Sequence, residues 1–130
     1  MSDVTIGGVT YPSSEHAYQA LKTSDAEARE DIRNAKTPGD AKRLGKQVPK
    51  LEWWNEIKVA VMTRVVLAKF TQNPMLKEAL MNTGTAWLEE GNHWGDEFWG
   101  KDILTKSGDN WLGRILMIVR SELFLQEVNG

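Results

Sequence analysis

The sequence predicts an α+β fold: a single, mostly helical domain over residues 1–130, with an N-terminal β-hairpin and few short strands. Three observations carry this. Val4-Thr5-Ile6 and Val9-Thr10-Tyr11 are β-prone runs around Gly7-Gly8, the pattern of a tight hairpin turn. Further on, Trp54, Ile57, Val61, Val65 and Ala68 recur at threes and fours, as one buried helical stripe does. Helix-start signals also recur along the chain, at Ser13 or Ser14, Ser24-x-x-Glu27, Thr37-Pro38 and Asn73-Pro74.

Taken in order, Pro12 ends the hairpin. A first helix is expected from Ser13 or Ser14 to Lys22, with Glu15 in its first turn, where the helix dipole favours a carboxylate. The Ser24 capping box opens a second helix to Ala35, and Thr37-Pro38 opens a short third to Lys46. The longest helix is expected from Trp53 to Phe70. Asn73-Pro74 starts the next, which Gly84 ends in a left-handed conformation. Thr85 to Glu89 reads as a short strand, and Gly91 to Gly100 as a loop rich in Gly and Trp. The last helix runs from Asn110 to Leu125, with Leu112, Ile115, Leu116, Val119 and Leu123 as its core face.

Composition removes several classes of function. At 130 residues, 41% hydrophobic and 26% charged, the chain has enough material for one packed core and is not a disordered segment. It has no cysteine and two histidines, His16 and His93. Disulfides, thiolate metal sites and a Cys nucleophile are excluded, and neither metal nor cofactor is expected. A net charge of −2 exerts no global pull on nucleic acid or anionic membrane. No apolar run approaches the roughly 20 residues that span a bilayer. Met1-Ser2-Asp3-Val4 has no signal-peptide pattern, so the cytoplasm is the expected location. Six Trp against three Phe stands out, because indoles stack well on flat bases and carry an N–H that is costly to hide.

Four groups of residues invite a functional reading, each beside a plainer one. Glu15, Tyr18, Gln19 and Lys22 share one face of the first helix. Either this face is solvated, or Glu15 and Lys22, roughly 10 Å apart along the axis, line a cleft. Trp94-Gly95-Asp96 and Trp99-Gly100 either pack on the core with Asp96 capping a turn, or wall a planar ring with Asp96 as an acid or charge. Trp54 fits the buried stripe, whereas Trp53 lies off it. Lys36, Lys42, Arg43, Lys46 and Lys50 are either a solvated face or a phosphate patch, to which the start of the Thr37-Pro38 helix would add amide donors. His16 reads as an ordinary structural histidine.

These motifs resemble the NADAR/YbiA-like family. The resemblance begins at Tyr11-Pro12-Ser13-Ser14-Glu15-His16-Ala17-Tyr18-Gln19-Ala20-x-Lys22. It runs through Thr37-Pro38-Gly39-Asp40-Ala41-Lys42-Arg43, Trp54-x-x-x-Lys58, Trp94-Gly95-Asp96 and Trp99-Gly100 to Gly108-x-Asn110-x-Leu112-Gly113. It covers almost the whole chain in order and implies a YbiA-like fold. It also implies N-glycosidase activity, the hydrolysis of a bond between a ribose carbon and a nitrogen. The implied substrates are a phosphoribosyl-aminopyrimidine intermediate of riboflavin biosynthesis or an ADP-ribosyl nucleobase adduct. The partner is then a small ribosyl-phosphate or ADP-ribosyl molecule, or an ADP-ribosylated nucleic acid, with no membrane involved. Family members usually carry a Phe-rich segment before the hairpin, which this sequence lacks.

As the resemblance implies, the catalytic residues are Glu15, Asp96 and Lys22, the last by a Schiff-base route. Substrate contacts fall to Trp54, Trp94, Trp99, Tyr18, Asn110, Lys42 and Arg43. The chemistry agrees with these residue types. Cleaving a C–N glycosidic bond builds positive charge on the ribose, which a carboxylate stabilises, while a protonated acid assists the departing base. The alternatives are a non-catalytic ADP-ribose or nucleotide-binding module and a catalytically impaired short member.

Overall fold

In the computed structural model, which describes residues 1–129, the chain divides after Asn73 into two units. Both are built mainly of helices, so the α+β, mostly helical expectation holds. The first unit opens with the hairpin. Strands β1 (Val4–Ile6) and β2 (Val9–Tyr11) pair antiparallel, Val4 opposite Tyr11. Gly7 and Gly8 both take positive φ, 60° and 80°, the conformation a two-residue turn matched to strand twist demands. The outer edge of β1 would leave backbone groups open. The Gln72 amide closes it, accepting from Thr5 N and donating to Thr5 O, both at 2.8 Å.

Helix α1 (Ser14–Ala20) starts at Ser13, whose side chain accepts from His16 N. It stops two residues short of the expected Lys22. Lys22 N and Thr23 N turn to i−3 carbonyls, tightening the last turn. Helix α2 (Ala26–Arg33) is capped by Asp25, which accepts from Glu27 N and Ala28 N. Ser24 was the expected cap; the carboxylate one position later takes the role with two amides. Helix α3 (Pro38–Gly45) has Thr37 as cap and Pro38 at its start, as expected. Helix α4 (Trp54–Gln72) ends before Asn73-Pro74, because proline disfavours a helical residue before it. Trp54, Met62, Val65 and Val66 are its buried residues. Ile57, Val61 and Ala68 of the expected stripe are only half-buried.

The core of this unit joins Tyr11, Ala17, Ala20, Ile32, Ala41 and Val65. Alanines at three of these positions let α1 come close to α2 and α3. Helix α1 packs on both strands and on α2, α3 and α4, so it is surrounded. His16, fully buried, is the structural residue expected. Its Nε2 donates to Ala35 O at 2.9 Å, which leaves Nδ1 to accept from Ser13 Oγ at 2.6 Å.

The second unit pairs α5 (Pro74–Met81) with α6 (Trp111–Asn129). Gly84 takes φ 62° beyond α5, as expected. Helix α6 runs four residues past Leu125, to Asn129. The expected strand at Thr85–Glu89 is irregular chain instead. Its Leu88 carbonyl and the following Glu90 amide bond to the Asn110 side chain rather than to a neighbouring strand. The strand pair of this unit brackets the expected loop: β3 (Gly91–Asn92), at its start, runs parallel to β4 (Lys101–Asp102), just beyond its end.

Candidate active site

The polar face of α1 is where the structure departs most from a solvated surface. Tyr18 and Gln19 are 5% and 3% exposed, and Glu15 and Lys22 are half-buried. Four polar side chains on a buried face need partners. Gln19 Nε2 donates to Glu15 Oε1 at 2.9 Å, the i, i+4 pairing of one helix face. The Tyr18 ring lies 5.4 Å from Trp54, tilted by 50°. The Lys22 ammonium sits 5.6 Å from the Tyr18 ring centroid, in range of a cation–π contact. Glu15, Tyr18, Lys22 and Trp54 are thus brought together.

The electrostatics of Lys22 set this group apart. Burial is the largest cause pushing its pKa below the ordinary lysine value, and Lys50 comes next. Glu15 acts in the opposite sense, and Lys42 and Lys46 add to the lowering. Lys50 is brought close by Leu51 N, which donates to Lys22 O at 2.7 Å. A cavity of about 290 Å³ adjoins this group, lined by residues 50–56, among them Lys50, Trp53 and Trp54 and the carboxylates Glu52 and Glu56. Trp53 is 66% exposed there, at a left-handed φ of 65°.

The basic cluster works from the C-terminal part of α3 and the chain after it. The start of α3 is poorly equipped for an anion. Pro38 has no N–H, the Asp40 amide is taken by Thr37 Oγ1 at 3.0 Å, and the Asp40 carboxylate stands in the first turn. Arg43 is exposed and pairs with Asp40 at 3.0 Å, so its charge is partly spent. Lys42 is exposed and acts on Lys22 through its charge. Lys46 and Lys50 were expected only as members of the basic cluster, not as neighbours of Lys22, and Gln19 was not expected as a partner of Glu15. The i, i+4 spacing of Glu15 and Gln19 was the available signal. The approach of Lys50 depends on the turn at residues 46–53.

Asp96, Trp94, Trp99 and Asn110 lie in the second unit. Asp96 Oδ1 accepts from Phe98 N at 3.1 Å and Trp99 N at 2.9 Å. The buried Asn92 side chain clamps the Asp96 backbone from both sides, accepting from Asp96 N and donating to Asp96 O. This is turn capping, the plainer reading of that motif. Trp94 is 68% exposed, while Trp99 is half-buried, edge-on to Phe98 at 4.8 Å. Asn110, expected as a substrate contact, is held as a clamp on the backbone. It is 2% exposed, and its side chain is committed to Glu90 N at 2.8 Å and Leu88 O at 2.9 Å. It takes φ 53°, a left-handed conformation that asparagine tolerates. No group of His, Asp and Glu able to hold a metal is present among the described residues, and none of their helices is long and apolar enough to cross a membrane.

Comparison with known proteins agrees with this architecture. The model of the NADAR domain matches residues 1–124, across both units. The N-glycosidase YbiA of Escherichia coli is 35% identical over 130 residues, covering 95% of this chain and 78% of that protein. A riboflavin biosynthesis protein of Vibrio vulnificus is 42% identical over 124 residues. This chain spans 33% of that protein's length. The NMR structure of E. coli YbiA superposes with a TM-score of 0.88 at 34% identity, covering 98% of this chain and 76% of that one. The chain belongs to the NADAR family.

Proposed function

We propose that this protein hydrolyses the ribose–nitrogen bond of a 5-phosphoribosylated base of the aminopyrimidine type. Its enzyme class, a hydrolase acting on N-glycosyl bonds, is that of the relatives named N-glycosidase at 35–38% identity. The observation that carries the substrate is the lysine group. Lys22 is crowded by Lys50, Lys42 and Lys46, with the Glu15 carboxylate acting in the opposite sense. Repulsion within such a group is relieved when a phosphate dianion enters it. The adjoining cavity, about 290 Å³, sits at the small end of the roughly 300–1,000 Å³ range of ligand sites. That size favours a ribose phosphate over an ADP-ribosyl group. The riboflavin biosynthesis relatives from Vibrio vulnificus and Zea mays support the same choice.

In the reaction, the C1′–N bond breaks and its electrons leave with the base nitrogen, which gains a proton. Positive charge builds on the ribose, and Glu15 is the carboxylate placed to stabilise it and to take a proton from the incoming water. Lys22, held toward its neutral form, is able to displace the base at C1′ instead, losing a proton as the ring opens to an imine that water then hydrolyses to ribose 5-phosphate and the free lysine. The test is incubation with a phosphoribosyl-aminopyrimidine and assay of free ribose 5-phosphate. Release that falls by orders of magnitude in Glu15→Ala supports the reading. Ligand bound without release makes the chain a binding module, and turnover of an ADP-ribosyl nucleobase alone moves the substrate to that class. Borohydride trapping of an adduct distinguishes lysine attack from water attack.

A further inference from the structure

Gln19 has a use that its burial alone does not explain. Its Nε2 donates to Glu15 Oε1, which fixes the orientation of the amide and sends Oε1 the other way. There Oε1 is buried with no hydrogen-bond partner, the only such side-chain atom among the described residues. It packs against Gly45 at the end of α3, where a Cβ would overlap both Oε1 and Cδ. An apolar side chain of the same shape would fill that slot without stranding an oxygen. Gly45 has no left-handed backbone to account for it. Close approach of Gln19 is what its bare Cα permits.

We infer that Gln19 is a positioning residue for Glu15 and that Gly45 is the socket that holds it. The inference rests on Glu15 being the charge-stabilising carboxylate proposed above. A neutral amide N–H fixes one carboxylate oxygen without cancelling the charge, as a lysine or arginine in its place would. The second oxygen is then presented to the ribose in a set direction. Misplacing a reacting group by an ångström costs on the order of a hundredfold in rate, so small packing changes at Gly45 are felt at Glu15.

Stability and rate should move in opposite directions. Gln19→Met keeps the shape and removes both the N–H and the stranded oxygen. It is expected to raise Tm, to lower kcat by about tenfold to a hundredfold, and to leave KM near the parent value. Gly45→Ala keeps both Gln19 and Glu15 but drives its Cβ into the Gln19 amide, and should lower kcat in the same way. With Gln19→Ala in place the socket is empty, so adding Gly45→Ala should cost nothing further in kcat, a non-additive cycle. Unchanged kcat in Gln19→Met, or additive losses in the cycle, overturns the inference. A readout independent of turnover is the side-chain amide proton of Gln19 by NMR. It should be shifted by its carboxylate acceptor in the parent and return to the free-amide position in Glu15→Ala and in Gly45→Ala. A parent without turnover but with this signature refutes the proposed activity and leaves the positioning intact. A Gln19 resonance indifferent to both substitutions refutes the positioning.

Discussion

Replacing Asn110 by alanine separates a structural clamp from a ligand contact. The substitution strands the Glu90 amide and the Leu88 carbonyl, now held at 2.8 and 2.9 Å by a side chain only 2% exposed. Each buried group left unpaired costs about 1–3 kcal/mol. Alanine at φ 53° adds about 1 kcal/mol of backbone strain. Allowing for local relaxation, the sum is about 3–5 kcal/mol, and Tm should fall by roughly 10–20 °C for a chain of this length. That leaves a folded population at low temperature if the parent lies in the usual 5–15 kcal/mol range, taken as about that. Asn110→Asp keeps the acceptor for Glu90 and loses the donor to Leu88, so it should fall between parent and alanine. The assay is a thermal melt of each variant, with KM for the ribosyl substrate measured well below Tm. The expected outcome is a large loss of Tm with KM unchanged. A KM raised several-fold with Tm intact would refute the clamp and restore Asn110 to the substrate.

Three other substitutions follow from the same geometry. Asp96→Asn keeps an oxygen for the Phe98 and Trp99 amides, so Tm should hold. The two amides it accepts from confine Asp96 to its turn, so kcat should hold as well; a drop of about a hundredfold would refute that. Lys50→Ala removes the largest charge effect on Lys22. The folded chain then binds fewer protons at Lys22 than the unfolded one only over a narrower interval below the ordinary value. The penalty for charged Lys22 is present below its folded pKa and vanishes above its unfolded one, so stability rises with pH between them. That rise, read by urea unfolding at pH 8 and pH 10 and set against the parent, should be smaller in Lys50→Ala; an equal or steeper rise contradicts it. His16→Leu leaves Ala35 O and Ser13 Oγ short of a partner and should cost about 2–4 kcal/mol. A melt unchanged by this substitution would show that the His16 bridge contributes nothing.

Local signals made most of the fold legible. Gly7-Gly8, Thr37-Pro38 and Asn73-Pro74 act through backbone conformations or hydrogen bonds a few residues long, and each is found where the chain predicts it. The expected strand at Thr85–Glu89 failed because its backbone partners come from Asn110, more than twenty positions on. Ser24 lost the α2 cap to its neighbour Asp25, a contest that spacing rules do not decide. For the site, the grouping of Glu15, Tyr18 and Lys22 was visible in the i, i+3 and i+7 spacing. Its burial was not, since it arises from α2, α3 and α4 closing around a seven-residue helix. The roles of Lys50 and of Gly45 depend on tertiary approach alone.

One face of α1 and the turn that follows it hold a stranded amide oxygen, a half-buried carboxylate and a lysine repelled by its neighbours. Each costs stability, and a chain selected for packing alone would replace them with apolar residues, as it has done at Ala17 and Ala20 on the same helix. Breaches of local consistency concentrated on one face mark a functional surface. They also imply that the right anion stabilises the fold. At a ligand concentration of one hundred times Kd, binding adds about 2.7 kcal/mol, which for this length is roughly 8–13 °C in Tm. Ribose 5-phosphate should produce that rise in the parent. The rise should shrink in Lys42→Ala combined with Lys50→Ala, while sodium chloride at equal ionic strength should not reproduce it. If salt alone gives the same shift, or the double variant keeps the full response, the lysines are an ordinary solvated cluster and the phosphate must be sought elsewhere.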